Sequence, residues 1–391
     1  MKPEDLPAAH LQDEMIAWRH DFHRHPELGF HETRTAARVA ELLESFGLEV
    51  CTGVGHTGVV GVLQRGNGTG AIGLRADMDA LPIREINAFD HKSENDGVMH
   101  ACGHDGHTAM LLGAAKHLAE QGDFNGRAVF IFQPNEEHGL GAQAMLDDQL
   151  FARFDVDEVY GMHNIPGMPL GYFATRAGPV TASESLFEIT VTGQGGHAAM
   201  PHMGVDAITV AAEIVGALQT IVARKLNPGL NGVVSVTEFT TDGKRNVLPG
   251  KAVLSGDARA LTPEINALIE QNMCRIVAGI CAAHDVTGAV SYNTIFPPTI
   301  NAPGAAEAVA RCATALVGRD QVNGTCEPKL FSEDFAHLAA NRPGCFVLMG
   351  NGEHGAQAQP LHSADYDFGD EALVYGASFW ATLVEQQLGR S

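Results

Sequence analysis

The 391-residue chain lacks any apolar run of the ~18–20 residues that a membrane-spanning helix needs, so no transmembrane segment is expected. Positive charge is scarce. Lysine and arginine number 25 against 47 aspartates and glutamates, a formal net charge of −22. Such a protein is repelled on average by a nucleic-acid duplex or an anionic bilayer, so neither is expected as a partner. Cysteines are seven, an odd number without paired spacing, which fits reduced thiols better than a disulfide framework. The first residues, Met1-Lys2-Pro3-Glu4-Asp5-Leu6, are polar and acidic and show no secretory signal, so the expected location is the cytoplasm. Internal repeats and low-complexity tracts are missing too.

What is present is a globular composition, 45% hydrophobic and 18% charged, in a chain longer than one hydrophobic core usually serves; two domains are expected. The densest chemistry lies in Met99-His100-Ala101-Cys102-Gly103-His104-Asp105-Gly106-His107. Two glycines let the backbone turn tightly, and the apolar run from Thr108 reads as a helix. A Cys-x-His pair at a helix start can aim a thiolate and an imidazole at one point, a donor set that suits zinc, manganese or cobalt. A His-rich surface turn with a buried structural cysteine is the competing reading of this stretch alone.

Other segments add acids and imidazoles at strand ends. Residues 8–24 are amphipathic, with Leu11, Met15, Trp18 and Phe22 three or four apart, and a second helix runs from about Glu32 to Phe46. The linking loop presents His25 and Glu27, which suit structural or supporting roles better than catalysis. Strands are expected at 48–51, 58–64 and 71–75, the last leading into Asp77-Met78-Asp79-Ala80-Leu81-Pro82. Acids at the carboxyl end of a buried strand stand where open α/β sheets place their sites. Asp77 and Asp79 are two apart, and a carboxylate there can accept the N–H of a ligating histidine; capping aspartates are the alternative. The strand from Arg127 stops at Pro134 and delivers Glu136 and Glu137, one able to bind metal and the other to take a proton from water. The strand 158–162 ends at His163.

Character changes near Gly178-Pro179. From 184 onward a β-α-β-β-α-β order follows, with helices near 205–223 and 264–284, the ferredoxin-like pattern of a separate domain. After Pro297-Pro298 the first domain's character resumes. The expected organisation is a discontinuous domain, 1–182 and 296–391, interrupted by an inserted domain at 183–295.

Five separated segments then form one pattern: Asp77-Met78-Asp79-Ala80-Leu81-Pro82, Cys102-Gly103-His104-Asp105-Gly106-His107, Glu136-Glu137, Gly161-Met162-His163-Asn164 and Leu361-His362-Ser363. The set resembles the M20 family of metallopeptidases and amidohydrolases, in particular the branch with hippurate hydrolases, N-acyl-amino-acid amidohydrolases and plant auxin-conjugate hydrolases. The resemblance runs over nearly the whole chain. It implies an α/β fold, with a mixed-sheet catalytic domain of zinc-peptidase type and an inserted ferredoxin-like α+β domain serving as lid or dimerisation module. It also implies two divalent metal ions, manganese, zinc, cobalt or nickel. By the same resemblance Cys102 is the bridging ligand, His104, Glu137, His163 and His362 are the other ligands, Glu136 is the general base, and Asp79 orients a ligand. His197, within Gly195-Gly196-His197-Ala198, matches the histidine that steadies the carbonyl oxygen; Asn246 and Arg259 match positions that hold the substrate carboxylate. Two departures stand out. The wider family has a histidine ligand where this chain has Asp77, and a bridging carboxylate where it has Cys102, and a thiolate favours softer ions.

The implied reaction is hydrolysis of an N-acyl-L-amino acid. Two cations about 3.5–4 Å apart polarise the amide carbonyl and lower the pKa of water. A histidine on a separate domain can offer its donor to the oxyanion when the domains close. A guanidinium grips a carboxylate with two parallel hydrogen bonds. The alternatives are a dipeptidase or an N-acetyl-diaminopimelate-type deacetylase of the same fold, a cysteine hydrolase using Cys102 with His104 or His107, and a non-enzymatic metal- or ligand-binding protein.

Overall fold

The computed structural model describes residues 2–389. The backbone divides into two units. One comprises the chain up to Val180, Ile300–Glu327 and the chain from Asp334 onward; the other comprises Thr181–Thr299 with Pro328–Glu333. The insertion is therefore two to four residues wider at its ends than the sequence suggests. The short segment 328–333 joins it because Phe331 accepts the Ala182 N–H at 3.0 Å and Ser332 accepts from Arg259 at 2.7 Å. These bonds join residues some 70 to 150 positions apart, which no local pattern reveals.

The first unit is built on a mixed eight-stranded sheet: β1 (Glu49–Val54), β2 (Gly58–Arg65), β3 (Ala71–Asp77), β4 (Gly126–Gln133), β5 (Glu158–Ile165), β6 (Phe173–Ala174), β7 (Val322–Asn323) and β8 (Gly344–Gly350). The spatial order is β1-β2-β4-β3-β5-β8-β6-β7. The centre, β4-β3-β5-β8, is parallel. Every residue of β3 and β8 is buried, as expected of strands covered on both faces. The parallel strands place their carboxyl ends along one edge, and Asp77 pairs with Gln133 there.

Helix α1 (Gln12–Arg24) buries Met15, Trp18 and Phe22, the periodic residues of the sequence. Helix α2 (Thr33–Ser45) buries Val39, Leu42 and Leu43. The Glu27 carboxylate accepts the backbone N–H groups of Arg34 and Thr35 at 3.0 and 2.8 Å, so it caps the first turn of α2. Helix α3 spans His104–Gln121 and begins four residues before the apolar run: His104, Asp105 and His107 lie in its first turn. Its N-terminal flank is Gly103 at φ +92, a left-handed conformation, and a Cβ there would meet Asn164 Oδ1 at 2.5 Å.

The second unit has strands 183–192, 232–241, 251–260 and 287–296, with helices Ala207–Thr220 and Pro263–Ala283 between them in β-α-β-β-α-β order. The sheet is antiparallel, with 251–260 and 183–192 at its centre. Ile189, Ile214, Leu254 and Ile269 are among the residues of its own core. Asp206 and Thr262 cap the two helices through their side-chain oxygens. The first helix continues as a π turn to Lys225, and Ala207–Lys225 is long and apolar enough to cross a membrane by length and composition alone. That corrects the expectation that no such stretch exists. In the fold, Val210, Ile214, Leu218 and Ile221 of this helix are buried in the core of the second unit.

Candidate metal centre

The edge formed by the carboxyl ends of β3, β4 and β5 carries Asp77, then Asp79, Glu136, Glu137 and His163, and the start of α3 brings Cys102 and His104. Two three-residue groups share Cys102: its Sγ lies within 4.8 Å of donor atoms of His104 and His163, and equally of Glu137 and His362. A third group joins His104, Glu136 and Glu137. The structure thus gathers the residues of four widely separated segments around one thiol.

Local geometry explains how each is held. Cys102 Sγ is 3.3 Å from His163 Nε2, and His163 Nδ1 donates to the Asn164 carbonyl at 2.7 Å. His104 Nδ1 faces the Asp79 carbonyl at 2.9 Å and its carboxylate at 3.2 Å. In both histidines Nδ1 carries a hydrogen, so Nε2, once free of any proton of its own, is the nitrogen able to ligate beside the thiol. The second Asp79 oxygen accepts the Glu137 N–H at 3.0 Å, so one carboxylate fixes both an imidazole and the acidic turn. His362 adopts φ +64; its N–H donates to the Ala101 carbonyl at 2.8 Å, and its Nε2 lies 3.4 Å from Glu137. Glu136 is buried and accepts the Asp334 N–H at 3.4 Å.

The donor set fits a divalent cation. Among the described residues His104 Nε2 and Glu137 Oε1 are buried without a hydrogen-bond partner and lie 3.9 Å apart, an arrangement that a cation between them would satisfy. Burial disfavours charge on His104, but Asp77, Asp79 and Glu137 outweigh it and raise its pKa to about 10. Burial lifts Glu137 to about 7, with Asp79 and Asp77 adding to the effect and His104 opposing it. Burial and the neighbouring His107 keep His163 neutral, well below its ordinary value. The soft sulfur, imidazoles and carboxylates match zinc or its first-row neighbours.

Asp77 stands beside this cluster, its Oδ2 3.7 Å from His104 Nε2, and forms a further cation-capable group with His104 and His107. Its two oxygens meet Arg75 Nη1 at 2.7 Å and His107 Nδ1 at 2.6 Å. Burial would raise its pKa, but His104, Arg75 and His107 hold it well below the usual carboxylate range. His107 Nε2 reaches Asn164 Oδ1 at 2.8 Å. Sequence reasoning assigned no supporting role to Arg75, His107 or Asn164; the i,i+2 spacing of Arg75 and Asp77 on β3 was the available signal.

The other expected site residues lie in the second unit. His197 pairs with Val247 in a two-stranded ribbon, and Ala198 N–H donates to the Asn246 carbonyl at 3.1 Å, so His197 and Asn246 are neighbours. The Ala199 N–H donates to His197 Nδ1 at 3.0 Å, which leaves Nε2 to carry the hydrogen. Arg259 stands on a different strand, bonded to Asp257 at 2.8 Å, Glu184 at 2.7 Å and Ser332 at 2.7 Å. Two acids thus already occupy the guanidinium.

Peptidase family M20/M25/M40 matches residues 73–386. Hippurate hydrolase of Campylobacter jejuni is 40% identical over 97% of this chain and 97% of its own length. A solved protein of methicillin-resistant Staphylococcus aureus is 36% identical and superposes with a TM-score of 0.92 over 99% of this chain and 100% of that one. The YXEP protein of Bacillus subtilis, described as a dinuclear metal-binding peptidase from the M20 family, is 30% identical with a TM-score of 0.85, over 97% of this chain and 99% of that one. The mixed α/β fold and these relatives make the protein a hydrolase. The chain belongs to peptidase family M20/M25/M40.

Proposed function

We propose that the protein hydrolyses the amide bond of N-acyl-L-amino acids, of hippurate or N-acetyl type, releasing a carboxylic acid and the free amino acid. The carrying observation is the pair of donor groups that share Cys102 beside the buried carboxylate of Glu136. Similarity to hippurate hydrolase supports the substrate class. In this reading Cys102, His104, Glu137, His163 and His362 hold two divalent cations. Bound there, these ions polarise the amide carbonyl and acidify water. Glu136 takes the proton from the attacking water and passes it to the leaving nitrogen. Asp79 keeps His104 in the ligating tautomer and holds the Glu137 turn in place.

His197 is the proposed donor to the oxyanion, and its Nε2–H tautomer supports that role. Asn246 and Arg259 are proposed to hold the substrate carboxylate. Arg259 is partly exposed, and in this reading the substrate carboxylate exchanges for one of its two acids. The test is hydrolysis of N-benzoylglycine, several N-acetyl-L-amino acids, N-acetyl-diaminopimelate and simple dipeptides by metal-stripped protein, before and after Mn, Zn, Co or Ni is restored. Metal-restored cleavage of acylated amino acids is expected. Activity that survives stripping and is lost on thiol alkylation overturns the reading in favour of Cys102 as nucleophile; preferential cleavage of dipeptides overturns the substrate class.

A further inference from the structure

The loop between α1 and α2 reaches both acid-bearing strand ends. The Glu27 carbonyl accepts the Ala80 N–H at 2.8 Å, and Leu28 bridges Ala80, the residue after Asp79. At the other strand end Asn135 adopts φ +48, a left-handed kink immediately before Glu136. Asparagine visits this region more readily than other non-glycine residues, but a single aim of the turn still requires that its surroundings fix it. Glu32 does so. Its side chain is buried; Oε1 accepts the Asn135 N–H at 2.9 Å and Oε2 accepts the Thr57 hydroxyl at 2.5 Å. Gly29 closes the other side: a Cβ there would stand 1.9 Å from Asn135 Oδ1. The Asn135 carbonyl in turn accepts the Gly141 N–H at 3.0 Å, and the Glu136 carbonyl accepts the Gly139 N–H at 2.7 Å. The turn carrying both glutamates is thus pinned at its first residue from a segment about a hundred positions earlier.

We propose that Glu32 is a positioning residue for the Glu136–Glu137 pair, acting through the Asn135 N–H, with Gly29 as the close wall that sets the kink. This rests on the reading of Glu136 as base and Glu137 as ligand. A one-residue relaxation of Asn135 re-aims both carboxylates, so the consequence is chemical as well as structural. Supporting partners of this kind typically change metal affinity or activity by about 10–100-fold when removed.

The experiment compares Glu32→Ala, Glu32→Gln and Gly29→Ala, with Glu136→Gln as control, in the full-length chain. Three readouts are taken: kcat and KM, zinc affinity by competition with a chelator, and Tm. Glu32→Ala is expected to lower kcat about tenfold or more with KM nearly unchanged, and to weaken zinc by a similar factor. Glu32→Gln keeps an acceptor for Asn135 and is expected to stay within about threefold of the parent. Gly29→Ala, which pushes on Asn135 without removing a charge, is expected to follow Glu32→Ala. Parental kcat and zinc affinity in Glu32→Ala overturn the proposal. So does a loss in Glu32→Gln equal to that in Glu32→Ala, and so do losses that follow Tm alone. If Glu32→Ala does not fold, parental kcat and zinc affinity in Gly29→Ala overturn it. If Glu136→Gln remains active, the base reading fails, and zinc affinity still reports on the Glu137 turn.

Discussion

At the residue scale, Glu136 and Glu137 are adjacent in sequence and unequal in surroundings. Glu137 shares a cation-capable group with the thiol of Cys102, whereas both groups that contain Glu136 lack Cys102, and Glu136 accepts the Asp334 N–H. With Glu136 as the proposed base and Glu137 as a ligand, Glu136→Gln is expected to leave bound metal unchanged while lowering kcat by about 10²–10⁴-fold, the range for loss of a general base. Metal analysis alongside steady-state kinetics checks both halves, and full turnover with a glutamine removes Glu136 from that role. Cys102→Ala is expected to lower metal stoichiometry, because both ligand groups lose the donor they share. Gly103→Ala tests the backbone. The left-handed φ costs an alanine about 1–2 kcal/mol, and its methyl displaces the Asn164 amide and the Tyr366 hydroxyl, so a lower Tm is expected with weaker metal retention. These residues were legible in the sequence because their chemistry restricts residue type: thiol, imidazole and carboxylate rarely recur in such order. Glu32 and Asn135 were not, because a glutamate before a helix and an asparagine after a proline are ordinary until the fold brings them together.

At the element scale, α1 and α3 are joined by a buried arginine. Arg19 Nε bonds Asp105 at 2.8 Å, Nη2 bonds Asp367, and Nη1 bonds Asp370 at 3.3 Å. Asp105 follows His104, and Asp367 lies five residues beyond His362, so one guanidinium ties together two segments of the candidate centre. The amphipathic spacing of α1 was readable from the sequence; a buried arginine on the same helix breaks that pattern, and its three acids lie 86 to 351 positions away. Arg19→Met leaves buried carboxylates without their cation and is expected to cost about 3–5 kcal/mol, read from denaturant unfolding. His23, on the same helix, bonds Asp105 at 2.8 Å and Glu85 at 3.2 Å. Burial opposes its charge, but Asp105 and Glu85 raise its pKa above 6.5. The stabilisation it gives is complete below 6.5 and is lost as pH rises through the raised value. Burial would raise Asp367, but Arg19 and His91 hold it below 3.8. Its contribution is complete above 3.8 and is lost as pH falls through the depressed value. Tm is expected to fall on both sides of a plateau, and His23→Gln to flatten the alkaline fall. An unchanged alkaline limb in that variant rules His23 out as its source.

At the scale of the whole molecule, the chain has two hydrophobic cores without a residue in common, one around Phe22, Leu74, Phe130 and Trp380, the other around Ile189, Ile214, Leu254 and Ile269. The insertion was legible because the strand-helix order changes to a β-α-β-β-α-β run and then changes back; its exact ends were not, because they depend on bonds such as Ala182 to Phe331. All of the residues grouped around Cys102 lie in the unit with the larger core. Separate cores permit separate unfolding, and a metal that binds only the native form of one unit stabilises that unit by mass action. At free metal about a thousandfold above its dissociation constant the gain is about 4 kcal/mol. Calorimetry of the intact chain is expected to resolve two transitions, one that moves down when a chelator removes the metal and one that stays, the latter belonging to residues 181–299. A substitution in the second core, Ile214→Ala, is expected to lower only the chelator-insensitive transition, because the methyl groups it deletes are buried entirely within that unit. A single transition that chelator and Ile214→Ala shift alike would mean that the units unfold as one, and that metal binding supports the whole chain.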